Sequence, residues 1–273
     1  MAKLLKILFF AVLLIAAGYF FGRVCAQVNQ QYQLLLSFSK DLLPLALRVL
    51  LALGIVAVAA GIVAVLFRPF WVCIIAFGLS ALAIPFGWEW RVDTSILALL
   101  YFFASLIYAR GVAQELDNRL DFSVRPISES QSLLVMALSV MICGALYFGY
   151  AAQIEKEGFS IPSSFIEMAM TPMEKQIEQE PDLTPAQREE VLAKFRQEFE
   201  DKVKKPMEDK IKPYERFIPL AVAVGLLQPL VFATSLLSWI PILVLRLVFL
   251  LLTVLKVAKV VTEMREVRRL TLG

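Results

Sequence analysis

Four residues near the C-terminus are the chain's best candidates for chemistry inside a membrane. The stretch GLLQP holds Gly225, Gln228 and Pro229, and Arg246 follows in the next apolar run. Pro229 has no N–H, so a helix through it leaves the Gly225 carbonyl without its usual partner. A free carbonyl beside an amide side chain at mid-bilayer depth is the kind of break from which transporter helices build solute sites. Arg246 lies roughly 9 Å into its run at 1.5 Å per residue, where a charge is costly and usually functional. These parts suit a small uncoupled transporter or channel. The same residues also fit a plain packing kink, with Arg246 snorkelling toward the turn SWIP. The apolar interiors carry no Asp or Glu, which counts against proton or sodium coupling.

Other chemistries lack their residues. There is no histidine, so Ser-His-Asp and Cys-His arrangements, the usual haem ligand and H-E-x-x-H zinc sites all drop out. Neither G-x-x-x-x-G-K-[ST] nor G-x-G-x-x-G occurs, so no nucleotide loop is expected. Cys25, Cys73 and Cys143 form no C-x-x-C pair and read as buried, inert thiols. No catalytic, cofactor or metal site is expected, and the chain reads as non-enzymatic.

The composition says which elements must position these residues. The chain is 59% hydrophobic over 273 residues, well above the about 45–50% of soluble domains. The excess sits in seven blocks at residues 4–22, 42–67, 70–87, 94–108, 132–152, 217–237 and 240–261. Each approaches the roughly 20 apolar residues that a spanning helix needs. Backbone groups in hydrocarbon must bond within their own segment, and no polar alternation suggests a barrel. The expected fold is therefore all-α: a polytopic integral membrane helical bundle of about seven hydrophobic helices, six or seven spanning, with a polar helical insertion. Three regions follow: a five-helix membrane region at 1–152, the insertion at 153–216, and a membrane hairpin with a basic amphipathic tail at 217–273. The N-terminal MAKLLK and its apolar run read as a retained anchor helix in preference to a cleaved secretory signal.

Small residues mark where helices should meet. Gly54, Ala57, Gly61 and Ala64 share one face of the second block, and Ala76, Ser80, Ala83 and Gly87 one face of the third. Such faces let backbones approach closely in lipid. With RPF between them, a packed hairpin is expected. GYFFG at 18–22 offers a further close contact. Trp88 and Trp90 suit an interfacial belt. Ser128 and Gln131 read as a capping box for the fifth helix, after a polar linker over 110–131. The short fourth block, or the tight pair before it, is a candidate for incomplete crossing.

The insertion contains two helix starts, TPME and TPAQ, each with Thr at the cap and Pro at the first position. LTPAQ resembles, over five residues, the L-T-x-x-Q motif of the small periplasmic chaperones related to Spy, a pattern that a capping box produces by itself. From Thr184 onward Leu192, Phe195, Phe199 and Val203 recur at three- and four-residue steps, a narrow apolar stripe that Pro206 should end. This stripe is a candidate partner face over residues 184–205.

Charge then bears on partners and sidedness. Residues 152–216 hold 15 acids and 11 bases, a net of −4, against 9 and 16 elsewhere, a net of +7. Positive charge on short loops and tails fits membrane flanks, not a nucleic-acid patch. The tail, with Lys256, Lys259, Arg265, Arg268 and Arg269, is a candidate site for anionic lipid. The N-terminal lysines and this tail both argue for the cytoplasm, which seven spans forbid. The denser bases near the last blocks lead to an expectation that insertion and tail are both cytoplasmic. The first functional reading is a non-catalytic scaffold or accessory subunit, and the transporter is the alternative.

Overall fold

The computed structural model describes residues 2–36, 42–67, 69–118, 125–161, 166, 170–172, 185–255 and 257. Among them are helices and turns but no strand, so the fold is all-α. The helices are α1 (Ala2–Gln30), α2 (Tyr32–Leu36), α3 (Leu42–Leu66), α4 (Phe70–Gly87), α5 (Val92–Asn118), α6 (Arg125–Glu157), α7 (Pro185–Phe199), α8 (Lys205–Ile211), α9 (Ile218–Leu236) and α10 (Trp239–Val254). Six helical runs are long and apolar enough to cross a membrane, which makes this a multi-pass membrane protein. The outer surface agrees. Along α3, Leu43, Leu47, Leu51 and Ile55 face outward, while Leu45, Val49, Ala52 and Val56 are buried. Large apolar side chains outside and small ones inside suit lipid as the solvent.

α1 is the centre of the packing. Its most extensive contacts are with α4 and then with α3. Gly18 lies directly against the backbone of Ser80, and Gly22 against Ile84 and Gly87, so that a Cβ at any of these glycines would collide with backbone. The small residues at 80 and 87 therefore serve the α1 contact. α3 and α4 touch far less, and the expected α3–α4 hairpin is corrected: α1, through GYFFG, takes the face that α4 was expected to offer α3. Ala57, Ala64, Ala76, Ser80 and Ala83 are all buried, but a Cβ on Gly54 would meet nothing within 4 Å.

Pair contacts give each helix its direction. α1 and α4 run the same way. Arg48, near the start of α3, donates to Gln27 near the end of α1 at 3.2 Å, so α3 runs oppositely. A Cβ on Gly78 would lie 3.6 Å from Phe102, and Ser80 Oγ is 3.2 Å from the Tyr101 hydroxyl, so α5 runs against α4. Gly111 meets Ser130 and Gly144 meets Leu97, so α6 runs against α5. Gly149 lies on Asn29, so α6 runs with α1.

The last helices do not form a hairpin. A Cβ on Gly158, just past α6, would lie 3.7 Å from Glu215, just before α9. Since α9 packs along α6, it runs back toward the end where α1 and α6 begin. There Lys6 Nζ donates to the carbonyl of Val257, just past α10, at 2.9 Å. Leu237 (φ −92, ψ 3) and Ser238 (φ −58, ψ −25) join α9 to α10 without reversing the chain. α9 rests on α6 and α10 on α3. Together they make one bent path, so that among the described residues six helical runs are long and apolar enough to cross. Among the described residues, the insertion joins the bundle at the Gly158 end of α6, and Val257 lies at the end where α1 begins.

Three further expectations change. The fourth block is no partial span, because α5 runs for 27 residues. α5 and α6 absorb most of the expected 110–131 linker. α6 starts at Arg125, so Ser128 lies within it and Gln131 is buried instead of capping. Pro206 does not stop the insertion helix. α7 passes into a π-helical turn (Glu200–Lys204), α8 and a 3₁₀ segment (Lys212–Phe217), then α9. Pro206, Pro213 and Pro219 each fall in the first turn of a segment with a new hydrogen-bond register, where a missing N–H is tolerated. The run Val191–Leu236 is thus helical over 46 residues, about 70 Å at 1.5 Å per residue, and it crosses the boundary expected at residue 216. The TPME start at Thr171 falls mostly outside the described residues.

Overpacking a backbone contact costs about 1–3 kcal/mol. Gly22→Ala should therefore lower the melting temperature of the purified protein clearly, while Gly54→Ala changes stability by less than about 0.5 kcal/mol. Thermal unfolding of both variants in one detergent reads the difference. Equal melting temperatures would remove the α1–α4 contact as the organising one.

Candidate functional site

The interior polar groups lie mainly on α5. Tyr101, Ser105 and Tyr108 are buried on one face of α5, with Ser80 of α4 against Tyr101, and Ser139 is buried on α6. Ser80 Oγ donates to the Leu14 carbonyl at 3.2 Å and lies 3.2 Å from Tyr101 Oη. Ser80 has one proton and gives it to Leu14, so Tyr101 is the donor to Ser80. This three-helix junction ties α1, α4 and α5 at the level of Gly18. Ser105 and Ser139 bond carbonyls of their own helices at 2.8 Å. The set can hold helices together. It cannot activate a nucleophile, because the neighbours of Ser80 are a carbonyl and a phenol, and neither is a base at neutral pH. The signal was present in the sequence as tyrosines seven residues apart inside an apolar block.

Three buried donors, Tyr108 Oη, Trp88 Nε1 and Gln131 Nε2, have no partner among the described residues. Trp88, expected in an interfacial belt, is buried with its ring 6.2 Å from that of Phe148, whereas Trp90 is exposed and packs on Phe86 at 4.7 Å.

The transporter candidates are not brought together around a cavity. Gly225, Gln228 and Pro229 lie on the exposed side of α9, which continues through Pro229 as one helix, and a Cβ on Gly225 would meet nothing within 4 Å. Arg246 is exposed on α10, whose buried residues are Leu245 and Phe249. An apolar groove of about 580 Å³ opens between Leu5, Phe9 and Val12 of α1 and Leu252 near the end of α10, with Lys6 at its rim, and it includes none of the four. Cys25, Cys73 and Cys143 are buried and form no disulfide, and no group of three His, Cys, Asp or Glu among the described residues is placed to hold a metal.

On the insertion, Leu192, Phe195 and Phe199 are half-buried and Val203 is 44% exposed. The Phe195 and Phe199 rings lie 6.4 Å apart, so the stripe is continuous. The polar face carries its own counter-charges. Lys202 pairs with Glu198 at 2.9 Å, Lys204 with Glu200 at 3.5 Å and Lys205 with Asp201 at 2.7 Å, each four residues back. The hydrogen bond to Asp201 raises the Lys205 pKa above its ordinary value. Lys256, Lys259, Arg265, Arg268 and Arg269 of the basic tail, the candidate site for anionic lipid, lie outside the described residues.

Removing the Tyr101 hydroxyl takes a bonded group from the junction, whereas removing that of Tyr108 takes an unpartnered one. Tyr101→Phe should cost about 1 kcal/mol, and Tyr108→Phe should be neutral or stabilising. Melting temperatures in a common detergent decide it, and a Tyr108→Phe protein less stable than Tyr101→Phe would contradict the junction. No protein-family model, curated protein or solved structure matches this chain.

Proposed function

We propose that the protein is a non-catalytic membrane scaffold or accessory subunit. It holds a protein partner on the insertion helix, over residues 184–205, and engages anionic lipid through its basic tail. The observation that supports this most directly is the 46-residue helical run Val191–Leu236. The stripe of Leu192, Phe195, Phe199 and Val203 stands on a rod continuous with a membrane-crossing helix, and that helix is packed along α6. A partner held by the stripe is thereby fixed to the bundle without a flexible joint. The paired charges on the other side of the same helix keep that side soluble and leave the apolar stripe as the binding feature. An amphipathic helix of this kind presents anchors at three- and four-residue spacing to a partner groove.

The triple variant Leu192→Ser, Phe195→Ser, Phe199→Ser tests this. Wild-type protein captured from detergent-solubilised native membranes should bring down a stoichiometric partner that the triple variant loses, while both elute as the same single peak. A wild-type chain that purifies alone, or a partner retained by the variant, would overturn the reading.

A further inference from the structure

We infer that the protein pairs with a second copy of itself through the outer face of α9, about a two-fold axis beside Gly225 and Gln228. The inference does not depend on what the insertion binds.

α9 is the least covered of the membrane-crossing helices. Only 11% of the apolar stretch of its run is buried, against 28% to 61% in the other five. Its inner face is wholly apolar. Pro219 and Ala223 are buried, and Val222, Leu226 and Leu230 pack on the core, where α6 lies. Its outer face is different. Ala221, Gly225, Gln228 and Phe232 are all exposed, and steps of three and four residues set them on one side of the helix.

Two groups on that side are polar. Gln228 lies about 15 Å along α9 from Ile218 at 1.5 Å per residue, half of the roughly 30 Å hydrocarbon core. From that depth a glutamine does not reach the headgroups, and it makes no hydrogen bond among the described residues. Pro229 denies the Gly225 carbonyl its ordinary donor. An amide and a carbonyl therefore face hydrocarbon, which can bond neither.

Together these groups are complementary to themselves. A two-fold axis sets a patch against its own copy. There the Gln228 amide N–H groups of each chain can donate to the Gln228 and Gly225 oxygens of the other, so each copy supplies the donor that the other lacks. Such bonds need a close approach, and the surface permits it. A Cβ on Gly225 would meet nothing within 4 Å, and Ala221, one turn earlier, is also small. Because Val191–Leu236 is one helical run, the pair carries both insertions on the same side.

Energy transfer in vesicles tests this. Full-length chains, fused at the C-terminus to a fluorescent donor or acceptor, are reconstituted in phosphatidylcholine. They should transfer energy, and surplus unlabelled chain should compete the signal away. Gly225→Leu fills space that is empty within one chain, so transfer should be lost while the melting temperature stays at the wild-type value. Gln228→Leu should raise the dissociation constant about tenfold, the worth of one interhelical hydrogen bond. If Gly225→Leu proves less stable than wild type, Ala221→Leu on the same face is read in its place. A wild-type chain that stays monomeric, one that holds only a different protein at α9, or pairing unmoved by these variants sinks the inference.

Discussion

Two helix backbones touch only where side chains are absent, and in lipid such closeness is the main packing gain on offer, because hydrocarbon tails compete equally for any leucine. The contact of Gly18 and Gly22 with Ser80, Ile84 and Gly87 meets that condition. It brings α1 and α4 together in parallel, which requires a helix between them in sequence to run the other way and pack elsewhere. α3 does so, on α1 and α10. The same contact places Ser80 within reach of the Leu14 carbonyl and of Tyr101, so the bond that ties in α5 depends on it as well.

Much of this architecture was legible in the residues, and the failures have physical causes. Apolar length gave the spans, since hydrocarbon admits only backbone that bonds to itself. Glycine and serine spacing gave the contact faces of α1 and α4. What the spacing does not encode is which small face meets which, because all such faces are chemically alike, and so it offers both GYFFG and a pairing between sequence neighbours without ranking them. Directionality failed for a similar reason. SWIP looks like a reversal, yet near-helical dihedrals at Leu237 and Ser238 carry the chain onward.

The proposed sites divide in the same way. A proline such as Pro229 announces a missing donor, but whether the freed carbonyl faces a cavity or lipid depends on the rotation of α9 about its axis, which contacts with α6 set. Leu192, Phe195 and Phe199 keep the stripe that their spacing predicts, since periodicity on one helix needs no tertiary information. Pro206 does not end the helix, as its residue type alone would suggest. A proline is disruptive inside one hydrogen-bond register, and this chain changes register at 200 and 212, where the disruption has no target.

The parallel pairing of α1 with α4 also has a consequence for biogenesis. α1 emerges from the ribosome before α4, and the surface that receives it, ending at Gly87, is made some 60 residues later. Until then the glycine seam of the leading helix has no mate in its own chain. α1 is thus seated on α4 only after α3 has been threaded between them in sequence.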